Sequence, residues 1–265
     1  MTTVSRRGVL LAGAGVVVGG VLAASAVVGP RVFGPGTVRR SGALRSAHWP
    51  GHDVRWQLAM PDEGRDDQRP LVVVLHGLGG DASHAFRLVE LDRHVGAAGV
   101  TLASVDGGDY YWHARRVGVD PGAMVVDDLL PTLRRLTGYQ GKVSFLGWSM
   151  GGYGSLLLAS ELGPEKVGAV VAESAALWTE PGLSAPGAFD DREDFLAHDV
   201  FTRTRVLSQI PIRLDCGRSD PFVVANRAFA KVVPSARLTV DDGGHTVAYW
   251  RDHARSQLEW IVNSL

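Results

Sequence analysis

Residues 142–159 read KVSFLGWSMGGYGSLLLA and change character halfway. Before Gly147 the residues alternate as in a strand; after Gly151 they continue as a helical run rich in small and apolar side chains. Ser149 stands at the join, inside Gly147-Trp148-Ser149-Met150-Gly151, a G-x-S-x-G pentapeptide. A strand that turns straight into a helix bends sharply. Side chains two residues either side of the serine would meet neighbouring backbone there, and glycine removes them. The serine is thereby pushed out beyond the sheet in strained backbone. It lies beside helix N–H groups that lack an intrahelical acceptor and can receive negative charge.

The same rhythm continues outward. Residues 53–60, DVRWQLAM, alternate as a strand, and 71–80, LVVVLHGLGG, form an apolar run ending in glycines, the mark of a strand buried on both faces. A helix is expected over 85–98, then a strand in VTLASVDGG. In DPGAMVVDDLLPTLRRL, Asp120 is placed to cap a helix that starts at Pro121. Strands over 142–146, 167–172, 210–216 and 237–240 alternate with helices over 152–161, 221–232 and 247–262. Such alternation requires crossover connections, hence an α/β fold with a mainly parallel sheet and helices on both faces. Ligands in such folds bind beyond the carboxyl ends of the strands. Residues 178–207 break the rhythm and are expected to form a small cap. No internal repeat is present.

Composition bounds the function. The 265 residues suit one large domain with an appendage, and 45% hydrophobic residues suffice for a real core. A formal net charge of −1 leaves no basic footprint for nucleic acid. The single cysteine, Cys216, excludes an intrachain disulfide and lies in an apolar run, as a buried structural thiol would. No Walker loop is present, no pair of metal-spaced histidines stands out, and 77–80 lack a dinucleotide fingerprint.

Residues 1–28 are a different object: Arg6 and Arg7 precede twenty uncharged residues, 9–28, with Ala24-Ser25-Ala26 at signal-peptidase spacing. The pair resembles a twin-arginine export signal of the bacterial inner membrane. Retention as a membrane anchor is the alternative, because twenty apolar residues can span a bilayer. Residues 29–45 are rich in Gly, Pro and Arg and are expected to be a linker to a domain over 46–265.

A serine hydroxyl needs a base to become a nucleophile. His245, in DDGGHTVAYW, follows the last expected strand and precedes the last helix, on the same sheet edge as Ser149. An orienting carboxylate must fix its tautomer. Asp220, in DCGRSDPF, lies just past a strand end, with helix capping as its plain alternative; the order Ser149, Asp220, His245 is that of nucleophile, acid and base. The N–H of Met150, and that of Leu78 or its neighbour Gly79, are expected to hold an oxyanion. His76 is assigned to loop support. His48, His52, His84, His94, His198 and His253 are assigned to surface or packing roles. Residues 107–116, GGDYYWHARR, mix aromatics and cations on a loop that either recognises ligand or packs. Gly79, His113, Arg115, Trp148 and Trp178 are the expected substrate contacts.

Taken together, LVVVLHGLGG, GWSMGGYGSLLLA, CGRSDPF and GGHTVAYWRDHARSQLEW resemble the esterase D-like family of α/β-hydrolases. That group includes feruloyl esterases, S-formylglutathione hydrolases and actinobacterial mycolyltransferases. The likeness runs from Asp53 to the C-terminus, and the run His245, Tyr249, Trp250 is most similar to the exported actinobacterial members. It implies an α/β-hydrolase fold, ester chemistry through an acyl-enzyme, no cofactor, and a small-molecule or lipid ester as substrate. Asp220 stands where mycolyltransferases carry a glutamate, and the chain is shorter than theirs. Hydrolysis, acyl transfer to an envelope glycolipid, and a catalytically silent binding protein are the readings carried forward, with membrane association through the N-terminal segment.

Overall fold

Strands dense in Val, Leu and Ala occupy the middle of the sheet because both their faces are covered. The computed structural model describes residues 37–62 and 68–265. In it eight strands run in the order β1-β2-β4-β3-β5-β6-β7-β8. They are β1 (Thr37–Ser46), β2 (Trp49–Pro61), β3 (Leu71–Leu75), β4 (Thr101–Val105), β5 (Val143–Trp148), β6 (Val167–Glu173), β7 (Ile212–Gly217) and β8 (Arg237–Asp241). The β1–β2 and β2–β4 pairs are antiparallel; β3 through β8 pair in parallel. The expected export or anchor segment, 1–28, lies outside the described residues.

Along β3 the side chains alternate between two cores. Val73 and Leu75 join Phe145, Met150, Leu157 and Phe229 on one face. Val72 and Val74 join Phe86, Leu91, Leu146, Leu258 and Ile261 on the other. The apolar run in the sequence is therefore a strand with no solvent face. The helices that carry these cores are α1 (Pro121–Met124), α2 (Leu130–Thr137), α3 (Met150–Leu162), α4 (Arg192–Ala197), α5 (Val223–Val232) and α6 (Val247–Asn263). Asp120 caps α1, accepting from Ala123 N–H at 2.9 Å with Pro121 next. A π-helical turn, Val125–Leu129, joins α1 to α2 just before Pro131, which has no N–H to donate back.

Two expectations are corrected. The linker over 29–45 gives way, from Thr37, to β1, an edge strand paired residue by residue with β2. It lacks an apolar rhythm because only Ser46 of its ten residues is buried. The single helix over 85–98 is three short turns, His84–Arg87, Leu91–His94 and Val95–Ala98, with Glu90 at φ 60° between the first two. Phe86 and Val89 lie on one helical stripe, but Leu91 is out of phase with it, and the break lets all three be buried. The cap over 178–207 holds only α4 and short helical turns, tied by its aromatic residues to the first core.

Candidate active site

β3, β5, β7 and β8 end on one edge of the sheet, and each delivers one part of the site. β5 stops at Trp148 and α3 starts at Met150, leaving Ser149 alone in the turn with φ 56° and ψ −121°. A non-glycine residue there is strained, at a cost on the order of 1–3 kcal/mol. The strain is held by backbone: Ser149 N–H donates to Glu173 O at 2.9 Å, and Ser149 O accepts from Tyr153 N–H at 3.1 Å and Ala176 N–H at 3.0 Å. A Cβ on Gly151 would collide with the Leu75 carbonyl, and one on Gly147 with the Gly151 carbonyl. Both neighbours are main chain and cannot step aside, which is why this turn takes glycine at both places.

Asp220 and His245 are brought together by loops that touch through backbone. Arg218 N–H donates to Asp241 O at 2.7 Å and Ser219 N–H to Gly243 O at 2.9 Å. A Cβ on Gly217 would strike the Gly243 backbone, so this approach needs glycine. Asp220 is buried; its Oδ1 accepts from Phe222 N–H at 2.8 Å and its Oδ2 faces His245 Nδ1 at 3.0 Å. It closes the turn ahead of α5 and orients the imidazole at once. A buried carboxylate only accepts, so His245 Nδ1 donates to it and the Nε2 lone pair is left to accept from Ser149 Oγ, 2.9 Å away. Phe222 and Trp250 meet the imidazole edge-on at 5.3 and 5.2 Å. Trp250 is in turn fixed by its Nε1–H donating to Ser174 Oγ at 3.1 Å and by stacking on Trp148.

The loop after β3 supplies the donor side. Gly80 N–H closes a turn on Gly77 O at 3.0 Å, and Gly79 N–H donates to Asp109 Oδ1 at 2.6 Å. Gly79 and Gly80 N–H are thereby committed elsewhere, which leaves Leu78 N–H as the expected donor of this turn. Gly77 lies so close to the serine that a Cβ there would sit 3.2 Å from Ser149 Cβ. Met150 opens α3, so its N–H has no acceptor within the helix. The Leu78 side chain is 57% exposed, consistent with a role for its main chain only. His76 supports this loop: Nδ1–H donates to Gly77 O at 2.8 Å and Nε2 accepts from Gly107 N–H at 3.0 Å. Burial holds its pKa below the usual histidine value, so the ring is the neutral tautomer these bonds require.

Other expected contacts turn away from the serine. Trp148 is buried against Trp250. Arg115 is nearly buried and occupied, with Nη2 and Nε on Asp190 Oδ1 at 2.9 and 3.2 Å and Nη1 on Gly187 O at 3.0 Å. His113 is buried beneath the cap beside Phe189 and His198. These three are held by neighbouring side chains and main chain of the domain. Trp178 meets Phe222 and Phe189 edge-on, one ring removed from His245. Sequence reasoning missed Trp112 and Phe222. Trp112 is fully buried against α3, where Gly154 makes room for its indole, and Tyr111 and Trp112 both take positive φ to place it. Cys216 is buried, and burial pushes its thiol up to about 12. Among the described residues no helix is long and apolar enough to cross a membrane.

No curated protein matches the chain by sequence. Solved structures do match its fold. A ferulic acid esterase superposes with TM-score 0.74 at 17% identity, over 87% of this chain and 100% of its own. An S-formylglutathione hydrolase from Agrobacterium tumefaciens gives 0.73 at 17%, over 90% and 99%. Mycobacterium tuberculosis MPT51 gives 0.63 at 13%, over 84% and 96%. The family profile for the alpha/beta hydrolase fold matches residues 70–258, and the chain belongs to that family.

Proposed function

We propose that the chain is an exported serine carboxylic-ester hydrolase working through Ser149, His245 and Asp220. The observation that carries this reading is the unbroken hydrogen-bonded line from Ser149 Oγ to His245 Nε2, at 2.9 Å, and from His245 Nδ1 to Asp220, at 3.0 Å, on a strained glycine-flanked turn. In acylation Ser149 Oγ attacks the ester carbonyl carbon while its proton passes to His245 Nε2. Asp220 stabilises the imidazolium and does not itself take the proton. The carbonyl oxygen becomes an oxyanion between Met150 N–H and Leu78 N–H, each donor worth about 2.7–4 kcal/mol in the transition state. The proton on Nε2 then leaves with the alcohol as the ester C–O bond breaks. Water repeats the sequence on the acyl-enzyme, giving the free acid and restoring Ser149.

The geometry leaves the acyl acceptor open: His245 is partly exposed, so a sugar or glycerol hydroxyl can stand where water does. Acyl transfer on an envelope glycolipid is the second reading, motivated by the twin-arginine segment. Turnover of p-nitrophenyl esters of graded acyl length, by wild type and Ser149→Ala, tests the first. Hydrolysis undiminished in the variant rejects it. Product analysis with trehalose or glycerol present separates the two, since transfer yields acylated acceptor and hydrolysis only free acid. A silent binding protein would show turnover with neither.

A further inference from the structure

We propose that His113, Asp194 and His198 form a site for a divalent transition cation of the zinc class, clamping the cap onto the loop after β4. The site lies apart from Ser149 and does not depend on the ester reading. His113 comes from residues 107–116, while Asp194 on α4 and His198 just after it come from the cap. Asp194 Oδ1 is 3.6 Å from His113 Nδ1 and 2.9 Å from His198 Nδ1. Zinc bonds of about 2.0–2.2 Å to nitrogen and oxygen place tetrahedral ligand atoms roughly 3.4 Å apart, and the two observed spacings bracket that edge.

The protons at His113 point to the cation. A neutral imidazole carries one N–H. Nδ1 of His113 faces Ala114 O at 3.0 Å as well as Asp194 Oδ1, and Nε2 faces Ala188 O at 3.2 Å. Whichever nitrogen bears the proton, the other turns a lone pair toward oxygen. With Nε2–H donating to Ala188 O, the Nδ1 lone pair faces Asp194 Oδ1 and Ala114 O, and a cation between Nδ1 and Asp194 Oδ1 turns the first of these contacts from repulsive to attractive. That is the usual arrangement of a ligating histidine, whose second nitrogen donates to a carbonyl or carboxylate. His198 Nδ1 faces Asp194 O and Oδ1, both at 2.9 Å, so the same carboxylate oxygen faces both imidazoles.

The remaining charges leave Oδ1 as the ligand atom of Asp194. Its Oδ2 accepts from Asp190 N–H at 2.7 Å and has Arg115 Nε at 4.0 Å. A cavity of about 340 Å³ opens on His113 and His198 and is also lined by Asp120, Asp127, Glu161 and Lys166. It reaches the two histidines, while Asp194 is not part of its wall. Sequence spacing hid the group, because His113 lies far along the chain from the Asp194–His198 pair.

The test is zinc binding by full-length, tag-free protein stripped with chelator and titrated with Zn²⁺ alone, with metal content measured after gel filtration. The expected result is one equivalent retained, a raised melting temperature with zinc, and a cobalt d–d absorption band on substitution with Co²⁺. His198→Gln and Asp194→Asn should each weaken binding by about 10-fold or more, while His245→Ala keeps the equivalent. Circular dichroism shows whether each variant folds, and the wild-type titration stands even where one does not. Wild type retaining no zinc, His198→Gln binding as tightly as wild type, or His245→Ala losing the metal overturns the proposal.

Discussion

His76 links the fold to the chemistry, and His76→Phe tests that link. The ring is fully buried and joins the loops that follow the paired strands β3 and β4, through Gly77 O at 2.8 Å and Gly107 N–H at 3.0 Å. Phenylalanine keeps the volume and removes both bonds. Gly77 O keeps the Gly80 N–H, so only Gly107 N–H is left unpaired; a buried donor left so costs about 1–3 kcal/mol, and the variant should lose about that much stability. The same change frees the turn that carries Leu78. Misplacing one oxyanion donor costs at most the roughly 10²–10³-fold in kcat of losing it outright; a loosened turn should fall short of that, with KM little changed. Denaturant unfolding and kcat measured well below the melting temperature separate the effects. The pH dependence adds a third reading. The folded-state pKa of His76 lies below its ordinary 6.5, so the native state binds fewer protons and its stability falls as pH drops through 6.5. His76→Phe removes that slope. Stability within about 0.5 kcal/mol of wild type, the scatter of an ordinary surface substitution, together with unchanged kcat, would refute the reasoning.

Asp220→Asn preserves the turn to Phe222 N–H but presents the wrong partner to His245 Nδ1; kcat should fall by roughly 10⁴-fold, the scale of the equivalent change in a serine protease, and a loss under tenfold would remove Asp220 from the mechanism. Glu173→Gln tests the buried acid whose carbonyl holds the serine turn. Burial, then the charge of Asp215, raises its carboxyl well above 4.5, so the native state binds the extra proton and stability declines as pH rises above 4.5. Thermal melts of the glutamine variant should show a shallower decline toward pH 8, and parallel curves would contradict this. Arg115→Ala removes the guanidinium from Asp190 and Gly187, so a stability loss of about 1–3 kcal/mol with unchanged KM is expected; a raised KM would return Arg115 to the substrate. If the twin-arginine segment directs export, fractionation of the native host should find the protein outside the cytoplasm; a cytoplasmic pool alone would contradict export.

The parts of the fold that were legible in the sequence are those where one physical demand dominates. β3 and β5 announce themselves because a strand covered on both faces must be apolar throughout. Gly147 and Gly151 are legible because backbone lies where their side chains would go. The hydrogen-bonded order of Ser149, Asp220 and His245 follows from strand ends sharing one edge. β1 was hidden because an edge strand facing water needs no apolar period. The loop over 107–116 was ambiguous because Trp112, His113 and Arg115 have the same composition whether they meet a ligand or the underside of a cap. Only the positive φ values at Tyr111 and Trp112, and the Asp190 bonds of Arg115, turn them inward. Neither is encoded in residue type or spacing.

The central claim is that Ser149 is a nucleophile activated by His245. Intact-mass and peptide mapping after brief exposure to a fluorophosphonate at neutral pH measures it most directly. One adduct per chain, on Ser149, absent in Ser149→Ala and strongly slowed in His245→Ala, is the predicted result. Ester turnover by wild type with no adduct on Ser149, or labelling that is equally fast without His245, would contradict it.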